Sequence, residues 1–131
     1  MSKMNRGQTF LALVLFVGGI IILIGLTLAI LEASFVDTGY GYQASVQAEA
    51  AATSGAEDAL LQLDRNPGFT SNGYTVVVGS TTATVSVANT AGIITIIATA
   101  EVSNRTKKVD VTAAVSTSTN QVAVTAWTVI Q

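Results

Sequence analysis

The residue types that usually carry catalysis are almost missing from this sequence. It contains no cysteine and no histidine, which removes the commonest metal ligand, the commonest general base and the near-neutral pH switch together. No serine stands three residues before a lysine, so a lysine-activated serine nucleophile is not expected either. We therefore predict that the chain is not an enzyme, and we expect no cofactor and no resident metal.

The remaining polar patterns are weak. Four carboxylates lie along a predicted helix and are expected in water, because adjacent positions do not converge on one helix face. They are Glu49, Glu57, Asp58 and Asp64. Oxygen donors that could form a weak calcium loop are Asp64, Asn66 and Asn72. The pattern Asn104-Arg105-Thr106 matches a glycosylation acceptor, although a polar hairpin turn explains it better.

Composition points instead to a membrane. Only 11% of the 131 residues are charged, whereas 50% are hydrophobic. The six Lys and Arg residues form no patch and the net charge is -2, so no nucleic-acid partner is predicted. Residues 10–31 form one uncharged apolar run. As a helix this run would span about 33 Å, which fits the ~30 Å hydrocarbon core of a bilayer.

The flanks of the apolar run predict its direction. Lys3 and Arg6 precede it, whereas Glu32 and Asp37 follow it. Basic flanks tend to stay in the cytoplasm, so the N-terminus is expected inside and the rest of the chain outside. The run is longer than the apolar region of a cleaved signal peptide, and the best candidate site, Leu31-Glu32-Ala33, lacks a small first residue.

Small residues form a stripe along the predicted membrane helix. Its members are Gly18, Gly25, Ala29 and Ala33. Spacings of seven and four place them on one side of a helix, and small residues allow helices to approach closely in lipid. The stripe is therefore predicted as a helix-packing face. The alternative is that glycine is simply common in membrane helices.

A second helical pattern occupies residues 44–63. Small and apolar residues recur there at spacings of three and four, and they are Ala48, Ala52, Gly55, Ala59 and Leu63. The leucine end of this stripe is expected to pack on a sheet, and its alanine end is narrow enough to receive another helix. Asn66-Pro67-Gly68 ends the helix. Whether the two helical stretches join through Gly39 and Gly41 stays open, because each glycine costs about 1 kcal/mol relative to alanine.

After Pro67 the pattern changes to period two, which predicts strands. These are residues 74–78, 82–88, 93–102, 107–116 and 121–131, with turns at 79–80, 89–92 and 104–106. Short turn-rich joints indicate an antiparallel meander. On the last strand, Trp127 falls opposite Val122, Val124 and Ile130, which predicts an exposed surface contact unless the register is shifted.

The predicted fold class is α+β. A long N-terminal α-helix, membrane-spanning in its first half and amphipathic in its second, packs on a small antiparallel β-sheet meander of about four to five strands. The predicted boundaries are 1–7 for a basic leader, 8–33 for the transmembrane helix, 34–66 for its continuation and 67–131 for the β domain.

This order of elements resembles the type IV pilin and pseudopilin family, more its minor (PilX-like) branch than its major subunits. The likeness rests on the leader end Met4-Asn5-Arg6-Gly7 and on residues 48–63, and it covers roughly the first half of the chain. It implies that a prepilin peptidase cuts between Gly7 and Gln8. It also implies that an assembly platform and a cytoplasmic ATPase then move the subunit from the membrane into a filament at the cell surface.

Two positions depart from the usual pattern of that family. The mature chain would begin with Gln8, where an aromatic or other apolar residue is usual. Ala12 stands at the fifth mature position, where a glutamate usually pairs with a neighbour's terminal amine. A major subunit is therefore not favoured. An Arg-Gly-Gln junction also occurs in archaeal-type pilins, so the lineage stays open.

Three hypotheses about function follow. The first is a structural filament subunit, whose partners are copies of itself or related pilins, membrane lipid before assembly, and the assembly machinery. The second is a non-polymerising, single-pass membrane-anchored surface protein with an exported β domain. The third is a secreted β domain released by signal peptidase near Ala33. The mass of the mature chain distinguishes a cut after Gly7, no cut, and a cut near Ala33.

Overall fold

The computed structural model describes residues 4–131, with side chains from Arg6 onward. One helix and five strands follow each other: α1 (Met4–Arg65), β1 (Ser71–Val78), β2 (Thr81–Thr90), β3 (Ile93–Val102), β4 (Arg105–Val115) and β5 (Val122–Ile130). The chain divides into two compact units, one ending at Tyr40 and one running from Gly41 to Gln131. Lys3, one of the two cations of the predicted leader, lies outside the described residues.

The helix α1 is unbroken at Gly39 and Gly41, which answers the question left open by the sequence. Neither glycine adopts a positive φ. Three hydroxyl side chains of α1 donate to the carbonyl oxygen four residues earlier over 2.8–3.0 Å, and they are Thr27, Ser34 and Thr38. These bonds give each hydroxyl a partner within the helix itself, so it needs none from an apolar surrounding.

The helix ends where the Asn66-Pro67-Gly68 pattern predicts. The last helical-type bond runs from the Asn66 N–H to the Gln62 carbonyl at 2.8 Å. Oδ1 of Asn66 then accepts the Gly68 N–H at 3.2 Å. Because Pro67 has no N–H to donate, the helix cannot continue through it, and the Asn66 side chain closes the turn instead.

The strands form one sheet in the order β1-β2-β3-β4-β5, and every neighbouring pair is antiparallel. The predicted α+β fold, with a long N-terminal helix and a small antiparallel meander, is therefore confirmed. The predicted strand bounds lie close to the observed ones, and β3 agrees at both ends.

The turn between β3 and β4 differs from its prediction. Ser103 and Asn104 form it with φ of 48° and 61°, the conformation of a two-residue turn whose twist matches that of the flanking strands. Val102 pairs directly with Arg105, so the strand resumes earlier than expected. The prediction of a turn at Asn104-Arg105-Thr106 is wrong in its position, because strand pairing continues to the tip of the hairpin.

The second stripe of α1 packs on one face of the sheet and forms the core. It is buried from Ala44 to Leu63. The predicted packing of its leucine end on the sheet is confirmed, because Leu63 belongs to the core, but the alanine end is covered as well, since Ala48 and Ala52 are 0% exposed. The alanine end is therefore not available to another helix. The sheet residues of this core are Ala83, Val85, Val87, Ile94, Ile96, Ala98, Ala100, Val109, Val111 and Ala113.

The helix and the sheet approach each other closely at Gly55. A Cβ atom built on Gly55 would lie 2.8 Å from Cγ2 of Val85 and 3.1 Å from Cβ of Ala83. Side-chain atoms in a close-packed interior do not approach that closely. The absence of a side chain at Gly55 thus allows α1 to pack closely on β2.

A polar contact fastens β1 to the helix. The hydroxyl of Tyr74 donates to Oδ2 of Asp58 at 3.0 Å, and Phe69 meets the Tyr74 ring edge-on at a centroid distance of 5.9 Å. Burial, followed by the hydrogen bond and the charge of Asp58, raises the pKa of Tyr74 well above its usual value near 10. Asp58, which was expected to be solvated, therefore has a structural partner.

Replacing Gly55 with alanine should lower the free energy of unfolding by about 1–3 kcal/mol, because the added methyl group overlaps Val85. The matched control is Gly39→Ala, where the added methyl group has no described atom within 4 Å. That change should not destabilise the protein. Denaturant unfolding of the full chain in detergent, followed by Trp127 fluorescence, measures both variants. Equal stabilities would contradict the close packing at Gly55.

Stability should fall as the pH rises above about 10. The raised pKa of Tyr74 means that the folded state holds the hydroxyl proton more tightly than the unfolded chain does. The stabilisation that results from this difference in pKa is fully present below about pH 10. It is lost at higher pH, where the tyrosine of the unfolded chain ionises first.

Tyr74→Phe should remove the loss of stability at high pH. Near neutral pH it should lower the free energy of unfolding by about 1–2 kcal/mol, because the hydrogen bond to Asp58 disappears. Denaturation midpoints of both proteins, measured near pH 7 and again above pH 10, test the assignment. A loss of stability at high pH that is equal in the two proteins would exclude Tyr74 as its source.

Candidate membrane and assembly surfaces

The N-terminal unit presents an apolar helix surface on every side. Side chains along residues 10–31 are exposed around the whole circumference of α1, and Phe16 and Ile22 each expose 70% of their surface. None of the most apolar window of α1 is buried, and the helix is long and apolar enough to cross a membrane. So much exposed apolar surface is unfavourable in water. The segment therefore requires lipid or protein around it.

The small residues of this segment lie on one side of α1, as their spacing predicts. They are Gly18, Gly25, Ala29 and Ala33. No described atom lies within 4 Å of a Cβ built on Gly18 or on Gly25. The described part of the chain thus leaves this stripe uncovered.

The predicted cleavage point lies on exposed helix. Gly7 and Gln8 belong to the first turns of α1 and face solvent. A Cβ built on Gly7 would meet no described atom within 4 Å. A larger side chain therefore fits at this position without disturbing the described fold, which makes Gly7 suitable for substitution.

Trp127 lies on the helix side of the sheet, which corrects its predicted face. It pairs with the core residue Val111, and Val124 also pairs with a core residue of β4. Val124 pairs with Ala113 and Ala126 pairs with Thr112, so Thr125 is left without a partner on β4 and forms a β-bulge. The alternation of side chains along β5 shifts by one position there. Val124 and Trp127 consequently share a face, whereas Ile130 lies on the opposite one.

The exposure of Trp127 nevertheless agrees with the prediction of a surface residue. Trp127 and Val129 are each 40% exposed and Val124 is 47% exposed, although all three lie on the core side. A helix is about 10 Å wide and strands are spaced by about 4.8 Å, so one helix covers two to three strands. Buried residues of the sheet belong to β2, β3 and β4. We call the uncovered residues Val124, Trp127 and Val129 the β5 strip.

The polar side chains of the described residues do not cluster into a reactive site. Among residues 4–131, no three His, Cys, Asp or Glu side chains gather as a metal site. Glu49, Glu57 and Asp64 are exposed. Asn66, one of the three oxygen donors considered for calcium, uses its side-chain oxygen to close the turn after α1.

Charges at the start of β4 form an arrangement that sequence reasoning missed. Lys107 is only 7% exposed, because it shares the helix side of β4 with Val109. Lys108 points to the other face and lies 3.3 Å from Oδ2 of Asp110. The guanidinium of Arg105 lies 3.1 Å from the position that a Cβ atom built on Gly41 would occupy. These neighbouring cations therefore do not form an open basic surface. Side chains alternate between the two faces of β4, so the sequence signal for a core-facing Lys107 was its position two residues before Val109.

Comparison with known proteins identifies no relative. No family model, no curated protein and no solved structure matches the chain.

Replacing Ile22 with arginine should lower the fraction of the chain that integrates stably into membranes. Ile22 lies in the middle of the apolar run, and a charge at the centre of a membrane helix costs at least about 2.5–3.5 kcal/mol. The matched control is Val77→Arg at a 72% exposed position of β1, which should integrate like the natural chain. Flotation of alkali-washed membranes measures the integrated fraction. Full integration of the Ile22 variant would contradict a spanning role for this segment.

Proposed function

We propose that this chain is a structural subunit of a type IV pilus-like or pseudopilus filament, held in the cytoplasmic membrane before assembly. The observation that carries the proposal is the apolar segment of α1, which is exposed on every side and is followed in the chain by a β domain with its own core. Such a segment needs a partner that the described residues do not supply. Lipid is one such partner, and the same segment of other copies is another.

The physics of helix association in lipid supports exchange between these two partners. Lipid tails and neighbouring apolar helices are similar surroundings, so transfer from membrane to helix bundle changes apolar burial little. Close packing then determines whether the segment stays in lipid or joins a helix bundle, because backbones that meet at small residues gain many dispersion contacts. Gly18 and Gly25 have open space above them for such an approach.

The distribution of charges supports an inward N-terminus. Lys3 and Arg6 precede the apolar run, and Glu32 and Asp37 follow it. The positive-inside tendency would keep the basic end in the cytoplasm and export the β domain. We therefore place the β domain on the outer side of the membrane first, and at the surface of the filament after assembly.

Helix packing carries the assembly in this proposal. Residues 10–31 contain no charge, and Ala12 stands where the pilins that this chain resembles carry a glutamate. An ion pair with a neighbour's terminal amine is therefore not part of the docking. The fit of the small-residue stripe then sets the register between neighbours, which suits a minor subunit that joins related pilins.

We assign the β domain a structural role as filament surface. The face of its sheet turned away from α1 carries many threonines, whose hydroxyl groups suit contact with water: Thr75, Thr82, Thr84, Thr95, Thr99, Thr112 and Thr128. The core of this domain is formed by the second stripe of α1 and by the sheet, and it contains no residue of the apolar run. Its folding thus does not depend on the apolar run being in lipid or in a bundle.

Replacing Gly7 with leucine should block leader removal and abolish filaments. The expected reason is that the peptidase requires a residue without a side chain at the cut, whereas the described fold tolerates the larger residue. Mass spectrometry of the mature chain and electron microscopy of sheared surface material measure the two effects. Gly39→Ala is the control, and it should be processed and assembled normally.

The outcome separates the three hypotheses. A natural chain that begins with Gln8, together with filaments lost in the Gly7 variant, supports the filament subunit. An uncut natural chain without filaments indicates a membrane-anchored surface protein, and a cut near Ala33 indicates a secreted domain. Normal filaments built from the uncut Gly7 variant would falsify the role of the leader.

A further inference from the structure

The hairpin between β3 and β4 carries a motif that its turn geometry does not require. Of the six asparagines in the chain, only Asn104 is followed two residues later by a serine or threonine, here Thr106. Arg105 stands between them, and any residue except proline is accepted at that position. The three residues therefore complete the acceptor motif for a sugar linked to the asparagine amide nitrogen.

The turn itself explains only part of this motif. Ser103 and Asn104 form the turn, each with a positive φ, and the strand resumes at Arg105. Thr106 pairs with Glu101 inside β4 and takes no part in the turn. A hairpin turn therefore accounts for the asparagine, which tolerates a positive φ, but not for the hydroxyl group two residues later.

A second hairpin of this chain shows which residue suits the same turn best. Ala91 and Gly92 connect β2 and β3 with φ of 54° and 85°, and their flanking residues Thr90 and Ile93 pair directly. Glycine is favoured at the second position of such a turn, because a positive φ costs it little. Asn104 occupies the equivalent position between β3 and β4. Formation of the turn therefore does not by itself select asparagine there.

The side chain of Asn104 is open to a bulky group. The side-chain oxygens of Asn66 and Asn89 each accept a backbone N–H of their own turn, at 3.2 and 3.1 Å. The Asn104 side chain makes no such bond within the described residues. Asn104, Arg105 and Thr106 are all exposed. A sugar on Asn104 would therefore extend into solvent, as such bulky and solubilising groups do on protein surfaces.

The motif also lies at a limited distance along the chain from the membrane segment. Arg105 packs beside Gly41, with 3.1 Å between its Nη2 atom and the Cβ position of the glycine. Gly41 follows Leu31, the last residue of the apolar run, by ten residues. Ten residues span at most about 35 Å even when fully extended. An enzyme that draws its sugar from a lipid of the same membrane therefore works close to this hairpin.

We propose that Asn104 is an N-glycosylation site, modified after export by a membrane enzyme that uses a sugar donor linked through phosphate to a lipid. Nδ2 of Asn104 bonds to the anomeric carbon of the first sugar, and the bond between that carbon and the phosphate oxygen of the donor breaks. The leaving lipid phosphate keeps the electron pair, and a base of the enzyme takes one amide proton. The proposal rests on export of the β domain, which all three hypotheses about function share, and not on filament assembly.

Mass spectrometry of the chain purified from the membranes of its own host tests the site. Trypsin cuts after Arg105 and Lys108, so Asn104 and Asn120 fall on different peptides. The peptide that contains Asn104 should carry added sugar mass, and fragmentation should place that mass on Asn104. Asn120 has a φ of 54° in another exposed loop but lacks a hydroxyl group two residues later, so its peptide should keep the unmodified mass.

Four single variants separate the motif from its surroundings. Asn104→Gly should abolish the added mass and keep the turn, because Gly92 already occupies the equivalent position of the neighbouring hairpin. Thr106→Val should abolish the added mass as well, since the hydroxyl group is lost although the asparagine remains. Thr106→Ser keeps a hydroxyl group and should retain the added mass. Asn120→Gly is the matched control and should also retain it.

Three results would overturn the proposal. One is a natural chain whose Asn104 peptide has its unmodified mass. Another is added mass that survives Asn104→Gly, which requires attachment elsewhere. The third is added mass that survives Thr106→Val, which requires a transfer that does not recognise the motif.

A separate measurement distinguishes failure of this proposal from failure of the proposed function. An amine-reactive reagent that cannot cross membranes should label Lys108 of intact cells only if the β domain is exported. An unmodified Asn104 beside a labelled Lys108 contradicts glycosylation alone. An unmodified Asn104 with an unlabelled Lys108 contradicts export as well, and with it the filament subunit. A modified Asn104 in cells that form no filaments supports glycosylation and contradicts the filament subunit.

Discussion

The described residues leave the apolar run of α1 uncovered, and this constraint governs the other features of the molecule. Residues 10–31 are exposed on every side, so the segment is stable only in lipid or among other helices. Its lack of charge allows both surroundings. The β domain, in contrast, has a core of its own, and its stability need not change when the surroundings of the helix change.

Small residues serve two purposes along the same helix. In the second stripe, Ala48, Ala52 and Gly55 are covered by the sheet, and the close contact between Gly55 and Val85 fixes the distance between the layers. In the first stripe, Gly18 and Gly25 meet no described atom. One residue pattern therefore produces an internal contact where a sheet follows in the chain. It leaves an open face where no other described element covers the helix.

The width of the sheet creates the second open surface. A single helix cannot cover five strands, so the β5 strip remains exposed even though it continues the core face. The bulge at Thr125 adds Trp127 to this strip and separates a straight segment from the rest of β5. The described chain therefore leaves two apolar surfaces uncovered, one on the helix and one at the edge of the sheet.

The sequence by itself determined the elements and their order. Charge-free length predicted the apolar helix, and alternation with turn residues predicted the five-stranded meander, because both are local periodic signals. Only the tertiary structure decided the face of Trp127, the burial of Ala48 and Ala52, and the partner of Asp58. A bulge of one residue reverses every later side chain, and the packing of a stripe depends on what another element places opposite it. Those facts arise from pairing between distant segments, which no local pattern records.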